Sequence, residues 1–152
     1  LVAAPQGGVY VGYLTAVPFP DGAAKVSHVA ADGTVTDVWT GLTAVTDIAV
    51  GPDGTLYAVE TSTGNLDEPP FMVPGSGRIV RQTGPDSAED VASGLMFPIT
   101  LGFGPDGELY VAMPAIGAAS GGGMIARVDG FGTPAAAPPT DCPPAGVGAT
   151  GA

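Results

Sequence analysis

Asp47 and Glu60 are the side chains in this sequence whose type and placement best suit holding a ligand. Asp47 lies near the start of the apolar run "TDIAVG" (Thr46–Gly51), and Glu60 closes the run "LYAVE" (Leu56–Glu60). Carboxylates at the ends of adjoining strands offer hard oxygen ligands to a cation such as Ca2+, which takes about six to eight oxygens. Thr100 takes the place of Asp47 in a second copy of the same pattern, and Met113 and Tyr13 take the place of Glu60. The copies therefore add the Thr100 and Tyr13 hydroxyls and no further carboxylate. A closed cation site would need oxygens from elsewhere, and the plain alternative is a pair of solvated carboxylates.

The remaining polar residues suggest less chemistry. His28 is the single histidine and sits in the apolar run "KVSHV"; no GxSxG nucleophile turn accompanies it, so it is expected as a partly buried strand residue. The stretch "GAASGGG" (Gly117–Gly123) is glycine-rich, but no Lys-Ser/Thr follows and no helix begins there, so it reads as a loop. Asp53 and Asp106 belong to two "GPDG" turns, where Asp bonds its own backbone and Gly accepts positive φ. The acidic loop "NLDEPP" (Asn65–Pro70) is a candidate contact for a partner or a cation.

Charge and cysteine usage exclude several functions. Four basic residues, Lys25, Arg78, Arg81 and Arg127, face fifteen acidic ones, for a formal net charge of −11. Nucleic acid needs a basic footprint to neutralise phosphates, and anionic membrane surfaces need the same. The partners that remain are an unknown protein or a small-molecule ligand. Cys142 is the only cysteine, in "PPTDCPPAG", so one chain can build neither a disulfide nor a Cys-based zinc site.

The elements that must position these residues repeat. "AVGPDGTLYAVET" (Ala49–Thr61) returns as "GFGPDGELYVAMP" (Gly102–Pro114), 53 residues later. "VYVGYL" (Val9–Leu14) aligns with "LYAVET" and "LYVAMP". "AKVSHV" (Ala24–Val29) aligns with "GRIVRQ" (Gly77–Gln82) and "GMIARV" (Gly123–Val128) in the same order. The complete unit reads as four strands: Thr46–Gly51, Thr55–Thr61, Gly77–Gln82 and one near Ala88–Ser93, with a long loop over Ser62–Ser76. Second strands are apolar on both alternating faces, Leu56 and Ala58 on one and Tyr57 and Val59 on the other, as in strands covered on both sides. Fourth strands such as "TVTDVWTG" (Thr34–Gly41) are more polar. No capped 3.6-residue period occurs, so the expectation is an all-β chain without helix.

Four-stranded units at this period, each covered by its neighbours, describe a β-propeller; a two-sheet sandwich explains the strands but not the repeat. The expected organisation is a partial propeller over residues 1–130, with one full blade at 46–93, partial blades at 9–40 and 99–129, and an Ala/Pro/Gly-rich tail at 131–152. Blades of about 40–50 residues make two or three of a six-bladed ring, so the chain is expected either to belong to a longer protein or to close a ring by self-association through exposed blade faces. Tyr10, Tyr57 and Tyr110 recur at one position and are expected to pack between blades.

The run "KVSHVAADGTVTDVWTGLTAVTDIAVGPDGTLYAVE", followed by "GRIVRQTGPDSAEDVASGLMFPITLGFGPDGELYVA", resembles the ScyD/ScyE family of secreted-type bacterial propeller proteins, named for association with scytonemin pigment biosynthesis. The likeness covers about Val9 to Asp129 and includes the "PFP" loop in Tyr13–Val29. NHL-repeat and gluconolactonase-like propellers share the GPDG–LYV pattern more loosely. The resemblance implies a six-bladed fold, an extracellular or periplasmic location, and a binding or scaffold role with no catalytic motif to carry across. Likeness to the gluconolactonase-like group implies the alternative, a metal-dependent hydrolase or lactonase with Asp47, Glu60 and Thr100 near a Ca2+ ion.

Overall fold

A strand apolar on both faces can stay out of water only between two other layers. That constraint sets the architecture of this chain. The computed structural model describes residues 1–131, and the described residues form eleven strands and no helix. The expected all-β architecture is what forms. Residues 132–152, which hold Cys142 and nearly all of the expected tail, lie outside the described residues.

Three antiparallel sheets follow one another along the chain. The first contains β1 (Val2–Ala3), β2 (Val9–Tyr13), β3 (Ala24–Val29) and β4 (Val35–Leu42) in sequence order. The second contains β5 (Val45–Val50), β6 (Leu56–Glu60), β7 (Gly77–Gly84) and β8 (Ser87–Leu95). The third contains β9 (Thr100–Phe103), β10 (Leu109–Met113) and β11 (Met124–Val128). From sequence the first unit is expected to start at Val9. The structure adds β1 ahead of it, pairing Val2 with Tyr10 and Ala3 with Val9. A two-residue strand is too short to show any alternation.

The "GPDG" turns behave as their residues require. Gly54 and Gly107 hold φ of 82° and 80°. Asp53 accepts the Thr55 N–H at 3.0 Å and the Thr55 hydroxyl at 2.9 Å, and Asp106 accepts the Glu108 N–H at 3.3 Å.

The sheets stack face to face, and each interface is a separate apolar cluster. Leu56, Ala58, Val80 and Ile48 of the second sheet pack with Val26, Trp39 and Leu42 of the first. Tyr57, Val59, Ile79 and Ala49 emerge on the opposite face and pack with Leu101, Leu109, Val111 and Val128 of the third. β6 is thus buried along its whole length. The first strands of successive sheets touch, β1 with β5 and β5 with β9, and the fourth strands β4 and β8 touch at the other edge. Thr40 N–H donates to Pro85 O at 2.9 Å, and the Gln82 amide donates to Val38 O at 2.7 Å, tying those outer edges together. This order and alignment are consistent with consecutive propeller blades.

Two glycines stand where an added Cβ would meet a neighbour closely. A Cβ at Gly12 would stand 3.1 Å from Ile48 and Val45 across the first interface. A Cβ at Gly77 would stand 2.3 Å from the Pro98 ring and under 3.0 Å from two backbone carbonyls. Gly77→Ala is therefore expected to destabilise the chain by about 3 kcal/mol, at the upper end of overpacking effects. Ile79→Ala, which empties a fully buried position, is expected to cost about 2–5 kcal/mol. Val35→Ala, at an exposed site, is expected to change stability by less than about 0.5 kcal/mol. Urea unfolding of the three variants checks the order.

Candidate functional site

Stacked repeats bring equivalent residues next to one another, and this decides what Asp47 does. Asp47 is on β5, and its counterpart Thr100 is on β9, the matching strand of the next sheet. The Asp47 Oδ2 accepts the Thr100 hydroxyl and, at 3.1 Å, the Leu101 backbone N–H. Its Oδ1 accepts the Ile48 N–H at 2.9 Å. Oδ2 thus joins the second sheet to the third at their seam, while Oδ1 is bonded within its own strand.

Glu60 belongs to a different seam. It pairs in register with Val45, whereas Asp47 pairs with Val59 across a bulge. Val45 packs toward the first sheet and Val59 toward the third, so Glu60 and Asp47 lie on opposite faces of their own sheet. Glu60 is fully buried. Its Oε1 accepts the Thr43 N–H at 2.7 Å, and its Oε2 is bound by the Arg78 guanidinium. Arg78, the cross-strand partner of Glu60 on β7, also donates to Asp90 at 3.0 Å. A carboxylate without water can remain charged only with such partners.

The structure thus joins Asp47 to Thr100 and separates both from Glu60. The three do not fit one Ca2+ ion. A cation at Glu60 would stand beside the Arg78 guanidinium, and one at Asp47 would share oxygens that already accept the Ile48, Leu101 and Thr100 donors. Among the described residues, no three His, Cys, Asp or Glu side chains form a metal-binding group.

The Glu60–Arg78–Asp90 chain has equivalents that change character along the repeat. At the same register positions the first sheet holds Tyr13, Lys25 and Asp37. Lys25 donates to Asp37 at 2.9 Å and lies 5.5 Å from the Tyr13 ring centroid, while the Ser27 hydroxyl donates to Asp37 at 2.6 Å. The Ser27 hydroxyl, with help from Lys25, holds the Asp37 carboxyl below the usual aspartate range. In the third sheet Met113 and Met124 face each other at the matching pair.

A second repeated device lies on the opposite face. Tyr10 pairs with His28, Tyr57 with Arg81 and Tyr110 with Arg127. Tyr10 and His28 stack with centroids 5.5 Å apart, and His28 Nε2 lies 2.7 Å from Gly7 O. Arg127 donates at 2.9 Å to Glu108, which also accepts the Tyr110 hydroxyl; that bond raises the Tyr110 pKa. The recurring tyrosine with a basic partner was not foreseen from sequence, although the aligned repeats contain it.

The described surface offers shallow clefts. One of about 360 Å³ lies between the two "GPDG" turns and is lined by Asp53, Tyr57, Phe103, Asp106 and Phe131. Its carboxylates serve the turns, and its aromatic rings pack edge to face at 5.0–6.0 Å. His28 and the loop Gly117–Gly123 are not among the residues lining it. The acidic loop of Asn65–Pro70 is tied to the first sheet's loop, because Asp21 accepts the Gly64 N–H at 2.9 Å and Asn65 donates to Phe19 O at 2.9 Å.

No protein-family model matches the chain, and no curated protein matches it in sequence.

Glu60→Gln puts an amide donor against Arg78 or Thr43 N–H inside a dry site. It is expected to lower stability by about 2–3 kcal/mol, measured by urea unfolding. The acid limb follows from Asp37, whose folded pKa is depressed. Its contribution is complete above the unfolded value of about 4 and is lost as pH falls through the lower folded value. The melting temperature is expected to drop below about pH 4, and Asp37→Asn should make that drop shallower. A melt series over pH 2–6, run at constant ionic strength, reads both slopes (the range brackets about two units either side of the reference value).

Proposed function

We propose that this chain is part of an exported β-propeller of the ScyD/ScyE type and acts as a binding or scaffold module, not as an enzyme. The observation that carries the reading is the commitment of both oxygens of Asp47 and both of Glu60 to hydrogen bonds within and between sheets. A lactonase of the gluconolactonase-like type would need those carboxylates converging on a metal. Here they sit on opposite faces of one sheet. The propeller assignment and the exported location draw on the three stacked repeats and on the resemblance of Val9–Asp129. The partner class is a protein or a small molecule; the acidic surface disfavours nucleic acid and anionic lipid.

Calorimetric titration of the chain with CaCl2 and with ZnCl2, together with a lactone hydrolysis assay, tests this reading. The expected result is no saturable heat and no turnover above buffer. Metal binding that disappears in Asp47→Ala, accompanied by metal-dependent turnover, would overturn it.

A further inference from the structure

Glu60 touches one residue of the linker before its sheet, Thr43, and one of the next strand, Arg78. The same three positions recur in the third sheet, and each of them holds methionine. Met96 takes the place of Thr43 when "GLMFP" is set against "GLTAV", Met113 takes that of Glu60, and Met124 that of Arg78. Met113 and Met124 are direct cross-strand partners, as Glu60 and Arg78 are.

The backbone around Met96 repeats the backbone around Thr43. Gly41 and Gly94 hold φ of 77° and 73°, and Ala44 and Phe97 both hold 43°. Ala44 O accepts the Thr61 N–H at 3.1 Å, and Phe97 O accepts the Ala115 N–H at 2.7 Å. The donor moves on by one residue because Pro114, in the place of Thr61, has no N–H to give. The linker that carries Met96 therefore runs beside the end of β10, as the linker that carries Thr43 runs beside the end of β6. Three of the chain's four methionines are placed at that one corner.

The corner belongs to the seam between the second and third sheets. Met113 packs against the apolar cluster of that seam, and Met124, directly opposite it, takes the same face of the sheet. A hollow of about 280 Å³ is lined by Met113 and Met124 with Ile99 and Pro114. Met96 and Met124 are 47% and 57% exposed. A methionine that only fills a gap in a core is covered by its neighbours; these two are open to an entering ion.

The chemistry differs from that at Glu60. There the Arg78 guanidinium holds the place and repels any cation. Here the same place holds uncharged thioethers, which are soft and polarisable donors. Ca2+ and Mg2+ require oxygen ligands, and Zn2+ sites rely on thiolate, imidazole or carboxylate. A set of neutral thioethers suits the soft monovalent ion Cu(I). A chain of net charge −11 balances the single charge that such a ligand set leaves on the ion.

We propose that Met96, Met113 and Met124 form a three-thioether site for Cu(I). The inference does not rest on the choice between a binding module and a hydrolase, and it concerns a different seam position from Asp47 and Glu60.

Anaerobic titration with Cu(I) held by a chromophoric chelator tests the proposal on the full chain carrying Cys142→Ser, which removes the competing thiol. The chain is expected to withdraw one equivalent of Cu(I). Met96→Leu, Met113→Leu and Met124→Leu, each with unchanged circular dichroism, should weaken uptake by about tenfold or more, the size that even changes behind a metal's ligands reach. Met72→Leu, which alters the fourth methionine, should leave uptake as it was. Ag(I) in chloride-free buffer serves as a redox-stable probe for a chain labelled with 13C at its methionine methyls. It should shift three of the four resonances and spare that of Met72, a reading that holds even where a substitution at Met113 disturbs the seam. Failure to take Cu(I) from the chelator, uptake unchanged by Met96→Leu or by Met113→Leu, or an Ag(I) shift shared by Met72 overturns the proposal.

Discussion

Burial of β6 on both faces is the constraint on which the rest of the chain depends. Leu56 and Ala58 face one neighbouring sheet, and Tyr57 and Val59 face the other. A strand of this kind cannot border water on either side, so a sheet built around it must be the middle of a stack. Each interface then has its own cluster, and the outer strands β4 and β8 can be polar because they lie at the edge of the stack. Stability in such an array resides in the contacts between neighbours as much as within each sheet.

Stacking also explains why polar residues at the seams are bonded to their own repeat equivalents or to adjacent strands. Asp47 meets Thr100 because the two strands that carry them are superposed by the repeat. Glu60 meets Arg78 because they are cross-strand partners, and Arg78 reaches on to Asp90. The same geometry gives Lys25 and Asp37 in the first sheet and two methionines in the third. Glu60, fully buried, has a hydrogen bond on each oxygen, as burial of a carboxylate requires. Asp47 thus ties the second sheet to the third, and both oxygens of Asp47 and of Glu60 accept hydrogen bonds.

Much of the architecture was legible in the sequence. The "GPDG" turns, the paired runs of Ala49–Thr61 and Gly102–Pro114, and the polar fourth strands located ten of the eleven strands. β1 escaped because two residues carry no periodicity. The candidate site was legible only as residue types. Asp47 near the start of β5 and Glu60 at the end of β6 lie at the same end of the antiparallel sheet, but a bulge beside Asp47 shifts the register, and sequence spacing does not show which face each one takes. Their partners are also remote: Thr100 lies 53 residues from Asp47, and Arg78 lies 18 from Glu60.

The most direct test of this account is a double-mutant cycle on Asp47 and Thr100, measured by urea unfolding of Asp47→Ala, Thr100→Val and the combination. If the Asp47 carboxylate ties the second sheet to the third, the two changes should couple by about 1–2 kcal/mol. Additive effects, with a coupling energy within about 0.3 kcal/mol of zero, would contradict the account and return Asp47 to the candidates for a ligand site.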